Sequence, residues 1–176
     1  MAHVNIEIKA RCDNPQHIRT ILQDRKADFK GTDHQVDTYF QVNEGRLKLR
    51  QGNIENSLIF YNRPNDAGPK QADVSLFRTD GPGGNQLHEV LTHTLQTKVV
   101  VDKQREIYFI DNVKFHLDTV KDLGNFVEIE AIDETGQLGI EKLRAQCNTY
   151  IALFDIRPEQ LITHSYSDLL SKDFSA

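Results

Sequence analysis

In the stretch GRLKLR, residues 45–50, Arg46, Lys48 and Arg50 alternate with Leu47 and Leu49. An extended chain turns alternate side chains to opposite faces, so three cations share one side and the leucines the other. The arrangement recurs along the sequence. Glu7, Lys9 and Arg11 share a face in NIEIKAR, Asp37 joins Tyr39 in DTYF, and Tyr61 joins Arg63 in LIFYNRP. Lys103 and Arg105 follow, then Lys114, His116 and Asp118, then Glu128 and Glu130. The opposite faces are apolar, with Phe115 and Leu117, then Val127, Ile129 and Ala131, while Phe126 falls out of phase.

Two readings of this pattern compete. In one, a half-buried sheet turns its charged face to water. In the other, the apolar faces turn outward beneath helices and a curled sheet encloses the charges. The separation into cationic and acidic strands favours enclosure. Two like unit charges about 4 Å apart repel by roughly 4 kcal/mol at an effective dielectric near 20, so an enclosed cationic ring needs counter-charge. A polyphosphate supplies it: Arg makes forked contacts to phosphate oxygens and Lys adds a point charge. Carboxylates repel phosphate unless a divalent cation lies between, and Mg²⁺ takes a few carboxylates together with phosphate oxygens. Glu7, Glu128 and Glu130, set beside the cations, therefore read as a metal–polyphosphate site.

The elements that must carry these residues follow from periodicity. Residues 3–12 alternate as a strand, and residues 12–29 switch to a helical period, with Asp13 or Asn14 as cap and Pro15 in the first turn. Strands are predicted over 29–42, 45–51, 56–64 and 71–80, with turns at Gly45 and at Gly52–Asn53. Gly81-Pro82-Gly83-Gly84 lacks the Lys-Ser/Thr of a phosphate loop and is a connector. A helix is expected over 85–95, then strands over 97–110, 112–123 and 125–133, a helix over 139–154 and a short segment from Pro158. Hairpin-length loops between most strands indicate an antiparallel α+β domain.

A length of 176 residues suits one domain spanning 1–176. A net charge of −5 argues against a nucleic-acid partner, which favours a positive excess. No apolar run approaches the roughly 20 residues of a membrane span, and the start has no apolar signal-peptide core. Cys12 and Cys147 make no disulfide framework. These features point to a cytoplasmic protein acting alone or as a homodimer.

NIEIKAR resembles the ExExK opening strand of the CYTH superfamily, the triphosphate tunnel metalloenzymes, which include class IV adenylyl cyclases and thiamine triphosphatases. The likeness continues in order through DTYF, GRLKLR, LIFYNRP with GPK, VDKQREIY, VKFHLDTVKDLG and FVEIE, and closes with HSYSDLL, covering residues 4 to 170. It implies an eight-stranded antiparallel closed barrel with helices packed outside, a small-molecule triphosphate substrate, and Mg²⁺ or Mn²⁺. By position, Glu7, Glu128 and Glu130 would hold the metal. Lys9, Arg11, Lys48, Arg50, Arg63, Lys103, Arg105 and Lys114 would bind phosphates, and Asp118 would support a base or a second ion. Asn5 stands where the pattern has its first Glu; it offers a carbonyl oxygen but no charge.

Within this frame Lys9, Asp118 and His116 are the candidates for a direct part in catalysis, His116 through proton transfer. Tyr39 and Tyr61 either order a phosphate or pack in the barrel wall. Three functions use the same cradle: hydrolysis of a triphosphate, cyclisation of ATP to cyclic AMP and pyrophosphate, and polyphosphate binding without turnover. Hydrolysis asks least of the site, since cyclisation also needs recognition of adenine.

Overall fold

The computed structural model describes residues 4–62, 70–71, 73–79 and 84–171. Its strands are β1 (Val4–Arg11), β2 (Asp28–Phe40), β3 (Arg46–Gln51), β4 (Ser57–Asn62) and β5 (Lys70–Gln71). They continue with β6 (Asp73–Arg78), β7 (Thr97–Ile110), β8 (Val113–Val120) and β9 (Gly124–Asp133). The helices are α1 (Pro15–Asp24), α2 (Gly84–Thr94), α3 (Ile140–Leu153) and α4 (Tyr166–Leu170). α1 begins where Pro15 fixes the first turn and the Asn14 side chain accepts the His17 N–H at 3.2 Å, so Asn14 and not Asp13 is the cap.

Every strand pairing is antiparallel, in the order β5-β1-β9-β8-β7-β2-β3-β4-β6. β5 and β6 stand at opposite ends of that order yet are one residue apart in the chain, so the edges of the sheet meet and it is rolled into a barrel. The eight expected strands are all present. The ninth, two-residue β5 arises because the strand expected over 71–80 pairs first with β1 and then with β4. The β7–β8 turn is two residues long, and Asp111 adopts φ 49° there, a left-handed conformation that Asp tolerates.

The apolar alternate positions do face outward. Ile6, Ile8, Phe115, Leu117, Val127 and Ile129 pack beneath Ile18 and Leu22 of α1, Leu143 and Cys147 of α3, and Phe154 just after it. Burying each such aliphatic chain contributes about 1.5–3 kcal/mol, and this layer fixes the register that turns the charges inward. Cys12 and Cys147 are free thiols in that layer.

The helices are not all outside. α4 seals one end of the barrel, where Tyr166 joins Tyr39, Ile59, Tyr61, Val101, Val120 and Phe126, with Leu169 and Leu170 against them. Phe126 is therefore in phase with Glu128 and Glu130 on the inner side, packed 4.9 Å from the Tyr166 ring. Ser165 caps α4 by accepting the Asp168 N–H at 3.2 Å, while Asp168 accepts the Ser165 N–H at 3.0 Å. Arg46 clamps Asp168 at 2.9 Å. Just before α4, Ile162 N–H donates to the Lys9 carbonyl at 2.9 Å, covering the edge of β1 that β5 leaves open. Among the described residues no helix is long and apolar enough to cross a membrane.

Candidate active site

The barrel encloses a cavity of about 490 Å³, within the range of ligand sites. Its ionic lining comes from Glu7 on β1, Lys48 and Arg50 on β3, Glu55 on the loop after β3, Arg78 on β6, Lys103 and Arg105 on β7, Lys114 and His116 on β8, and Glu128 and Glu130 on β9. Register places opposite charges directly across from each other: Lys9 faces Glu128, Asp37 faces Arg50, and Arg105 faces Asp118. The counter-charge demanded by an enclosed cationic ring is thus supplied in part by the chain itself.

Asp37 is the first hub. Its carboxylate accepts from Arg50 Nε and Nη2 at 2.9 Å each, from Lys48 Nζ at 2.9 Å and from Lys103 Nζ at 3.0 Å. Burial opposes its ionisation, but the charges of Arg50, Lys103 and Lys48 outweigh that and hold the carboxyl well below the usual range. Burial and neighbouring Arg105 push Lys103 down, and burial pushes Lys48 down as well.

Arg105 is the second hub. Its Nε donates to Asp118 Oδ1 at 2.7 Å, and its Nη2 donates to Asp118 Oδ2 and, at 2.9 Å, to Glu128 Oε2. Glu128 also holds Lys9 Nζ at 2.9 Å on Oε1 and His116 Nδ1 at 3.0 Å on Oε2. A carboxylate only accepts, so Nδ1 carries the imidazole proton and Nε2 is left as an acceptor. Nε2 has no hydrogen-bond partner among the described residues. Burial, reinforced by the charge of Arg105, pushes His116 down to about 4, which keeps the ring neutral near pH 7.

Lys9 and Asp118 lie behind this wall and do not line the cavity. Lys9 Nζ sits 3.8 Å from the Tyr166 ring centroid, and Asp118 accepts the Tyr166 hydroxyl at 2.7 Å. Lys9 touches the lining through Glu128, and Asp118 through Arg105. Arg11 is exposed, stacked 5.2 Å from the Phe126 ring and donating to the Leu123 carbonyl at 3.2 Å. Arg63 lies outside the described residues. Tyr39 and Tyr61 are buried in the cluster beneath α4 and also line the cavity.

A third acidic group comes from the loop between β3 and β4. Glu55 accepts from Lys114 Nζ at 2.6 Å, Arg50 Nη1 at 3.0 Å and Gln35 Nε2 at 3.1 Å. Buried Asp33 holds this loop by accepting the N–H groups of Asn53, Ile54 and Glu55 at 2.6, 2.9 and 2.9 Å. A Cβ on Gly52 would meet the Asp33 carboxylate at 2.7 Å, so only glycine lets the turn come so close.

Glu7, Glu128 and Glu130 line the same cavity, but among the described residues no three His, Cys, Asp or Glu side chains converge tightly enough to hold a metal. Glu128 has both oxygens engaged by cations. Glu130 is different: burial, with repulsion from Glu128 and Glu55, pushes its carboxyl up against the pull of Lys114. It accepts Asn5 Nδ2 at 2.6 Å, and the buried Asn5 Oδ1 has no partner among the described residues. Glu7 stands opposite Glu130 in the β1–β9 register. Two carboxylates and an orphaned amide oxygen are hard donors of the kind Mg²⁺ and Mn²⁺ take, so the residues fit such an ion around Glu7, Glu130 and Asn5.

Strand alternation alone does not single out Asp37 as a hub, nor Glu55, Asp33 and Tyr166. Asp37 and Tyr166 lie within DTYF and HSYSDLL, so their positions are legible; Asp33 and Glu55 carry no pattern signal.

Solved structures share this architecture. The PH1012 protein from Pyrococcus horikoshii OT3 is 22% identical, with a TM-score of 0.77 over 94% of this chain and 98% of that one. A Vibrio parahaemolyticus protein provisionally assigned as an adenylate cyclase is 14% identical, with a TM-score of 0.75 over 97% and 99%. HpAC1 from Hippeastrum, an adenylyl cyclase candidate described as having a dominant triphosphatase activity, is 14% identical, with a TM-score of 0.63 over 94% and 93%. At these identities the likeness is one of fold. No curated protein matches the chain. The CYTH domain model, however, matches residues 3–155, most of the length, and the chain therefore belongs to the CYTH domain family.

Proposed function

We propose that the protein is a divalent-metal-dependent triphosphatase, cleaving the terminal phosphoryl group of a small-molecule triphosphate. The observation that carries this reading is the lumen itself: Lys48, Arg50, Lys103, Arg105 and Lys114 line one cavity with the hard-oxygen set of Glu7, Glu130 and Asn5. Mg²⁺ or Mn²⁺ on that set would neutralise phosphate charge and polarise the phosphoryl group.

The chain's own residues supply the rest. Asp37 holds Lys48, Arg50 and Lys103 in fixed positions before substrate arrives, so they need no reorganisation as charge develops on the phosphoryl oxygens. Hydrolysis forms a bond from a water oxygen to the terminal phosphorus and breaks the bridging P–O bond, releasing phosphate and a diphosphate. His116 Nε2, buried, neutral and without a partner among the described residues, takes the proton of the attacking water, and Glu128 on Nδ1 stabilises the imidazolium that forms. Lys9 and Asp118 are positioning residues, fixing Glu128 and Arg105 respectively.

The test is incubation with ATP, thiamine triphosphate and tripolyphosphate in the presence of Mg²⁺ or Mn²⁺. Release of inorganic phosphate is the expected result. Cyclic AMP with pyrophosphate would make the protein a cyclase instead. Thermal stabilisation by tripolyphosphate with no product would make it a binder.

A further inference from the structure

The cavity has two chemical sides. β7, β8 and β9 give it an ionic wall, whereas β4 and β6 turn Ile59, Tyr61, Val74 and Leu76 into it, with Ser57 and Arg78 at the far end of that pair. Register sets Tyr61 opposite Val74 and Ile59 opposite Leu76, giving two cross-strand apolar pairs. Ile54, on the loop after β3, lines the same space. Ile59 and Tyr61 are already buried at 7% and 8% exposure, but Ile54, Val74 and Leu76 remain 43%, 49% and 55% exposed. Ile54 is held there by the Asp33 carboxylate on its own N–H, so its exposure belongs to a constrained loop.

Inorganic tripolyphosphate has no use for such a wall. Its oxygens are served by Lys and Arg, and aliphatic side chains beside it stay wet. An apolar or flat heteroaromatic group carried on the triphosphate would cover those side chains and gain the free energy of their desolvation. We infer that Ile54, Val74 and Leu76 form a subsite for the organic group of a triphosphate ester, and that organic triphosphates are preferred over tripolyphosphate. The inference rests on the triphosphate reading above and narrows it to a substrate class. Aliphatic faces distinguish a ring from no ring far better than one ring from another, so selection among nucleobases is weak.

The experiment is steady-state kinetics of the wild type, Leu76→Ser and Phe77→Ser with ATP, thiamine triphosphate and tripolyphosphate. Phe77 is the next residue on β6, 67% exposed and outside the cavity lining, so its variant controls for disturbance of the strand. Leu76 is itself largely exposed, and melting curves verify that both variants fold. The wild type is expected to show a higher kcat/KM for ATP or thiamine triphosphate than for tripolyphosphate. Leu76→Ser is expected to lower that value about tenfold, the scale of one or two lost methylene contacts, mainly through KM. Tripolyphosphate kinetics and the Phe77→Ser enzyme should be unchanged. A wild type that prefers tripolyphosphate, or a Leu76→Ser enzyme that loses all substrates alike, overturns the subsite while leaving the triphosphatase standing. Absence of both turnover and thermal shift with every triphosphate removes the function and the subsite together.

Discussion

Tyr166 reaches Asp118, 48 residues away in sequence, with a 2.7 Å hydrogen bond from its hydroxyl to Oδ2. Asp118 is 2% exposed and its other oxygen partner is Arg105, so the closing helix touches the guanidinium that faces the lumen through a single carboxylate. Tyr166→Phe keeps the ring under Lys9 and against Phe126 but deprives Asp118 of a donor. A buried acceptor left short costs about 1–3 kcal/mol, a melting temperature lower by roughly 3–10 °C for a chain of this size. Calorimetry measures the drop, and an unchanged Tm would remove the coupling between helix and site.

Asp37→Asn removes the carboxylate shared by Lys48, Lys103 and Arg50 and leaves Arg50 with Glu55 alone. Breaking a buried charge cluster at one member costs about 3–5 kcal/mol. Tripolyphosphate should then stabilise the variant more than it stabilises the wild type, because the ligand replaces the missing charge. Thermal shifts with and without tripolyphosphate check this; equal shifts in both proteins would contradict it.

Glu55 competes with substrate for Lys114 and Arg50. Glu55→Gln keeps the size and the Asp33-bound backbone but removes the charge. Releasing one charge-assisted hydrogen bond of about 1.5 kcal/mol lowers KM for the triphosphate roughly tenfold. A KM that rises would mean that Glu55 helps to hold the substrate or its metal.

Lys9→Ala and Glu130→Ala should each abolish turnover by different routes. Lys9→Ala removes the cation that pins Glu128 from behind and disturbs the orientation of His116, so added metal gives no rescue. Glu130→Ala removes a donor from the oxygen set, and raised Mn²⁺ restores part of the rate. Titrating the metal against both variants separates the two, and full activity in either would refute its assignment.

Outside the barrel, Arg19 donates to Glu106 through Nε at 2.9 Å and Nη2 at 2.6 Å, and this hydrogen bonding lowers the Glu106 carboxyl below its usual value. A carboxyl depressed in the folded state adds stability above its unfolded value of about 4.3, lost as pH falls through the folded value. The Tm gap between wild type and Glu106→Gln should therefore be largest at about pH 6–7 and close toward about pH 3. A gap that persists in acid would point to packing alone.

The inward face was legible because period-two patterning reports directly on which side chains share a side. GRLKLR, VDKQREIY and FVEIE each carried it, and Leu49, Phe115 and Ile129 lie buried on the other side as that pattern requires. What the pattern does not contain is register. Nothing in one strand says that Asp37 stands opposite Arg50, or that Glu128 collects Lys9, Arg105 and His116, because those pairings are set by register between strands, neighbouring for Asp37–Arg50 and His116–Glu128 and far apart in the chain for Lys9–Glu128. Glu55 sits in a turn, where alternation stops, and its aim is set by Asp33 about 20 residues earlier. Phe126 looked out of phase because an aromatic among charges reads as a slip, until the packing beneath α4 accounts for it.

The rolled sheet also sets the order of events during folding. Asn5 and Glu130 bond across 125 residues, so β1, first in the chain, is fully paired only once β9 is in place. Loop-closure entropy of that span is lost before the pairing rewards it, which places the protein among slow, high-contact-order folders. A nascent chain that has made Lys9 but not yet Glu128 holds that cation unmatched on an open sheet, while Lys48 and Arg50 already have Asp37, and for that interval polyanions in its surroundings have an unguarded edge to grip.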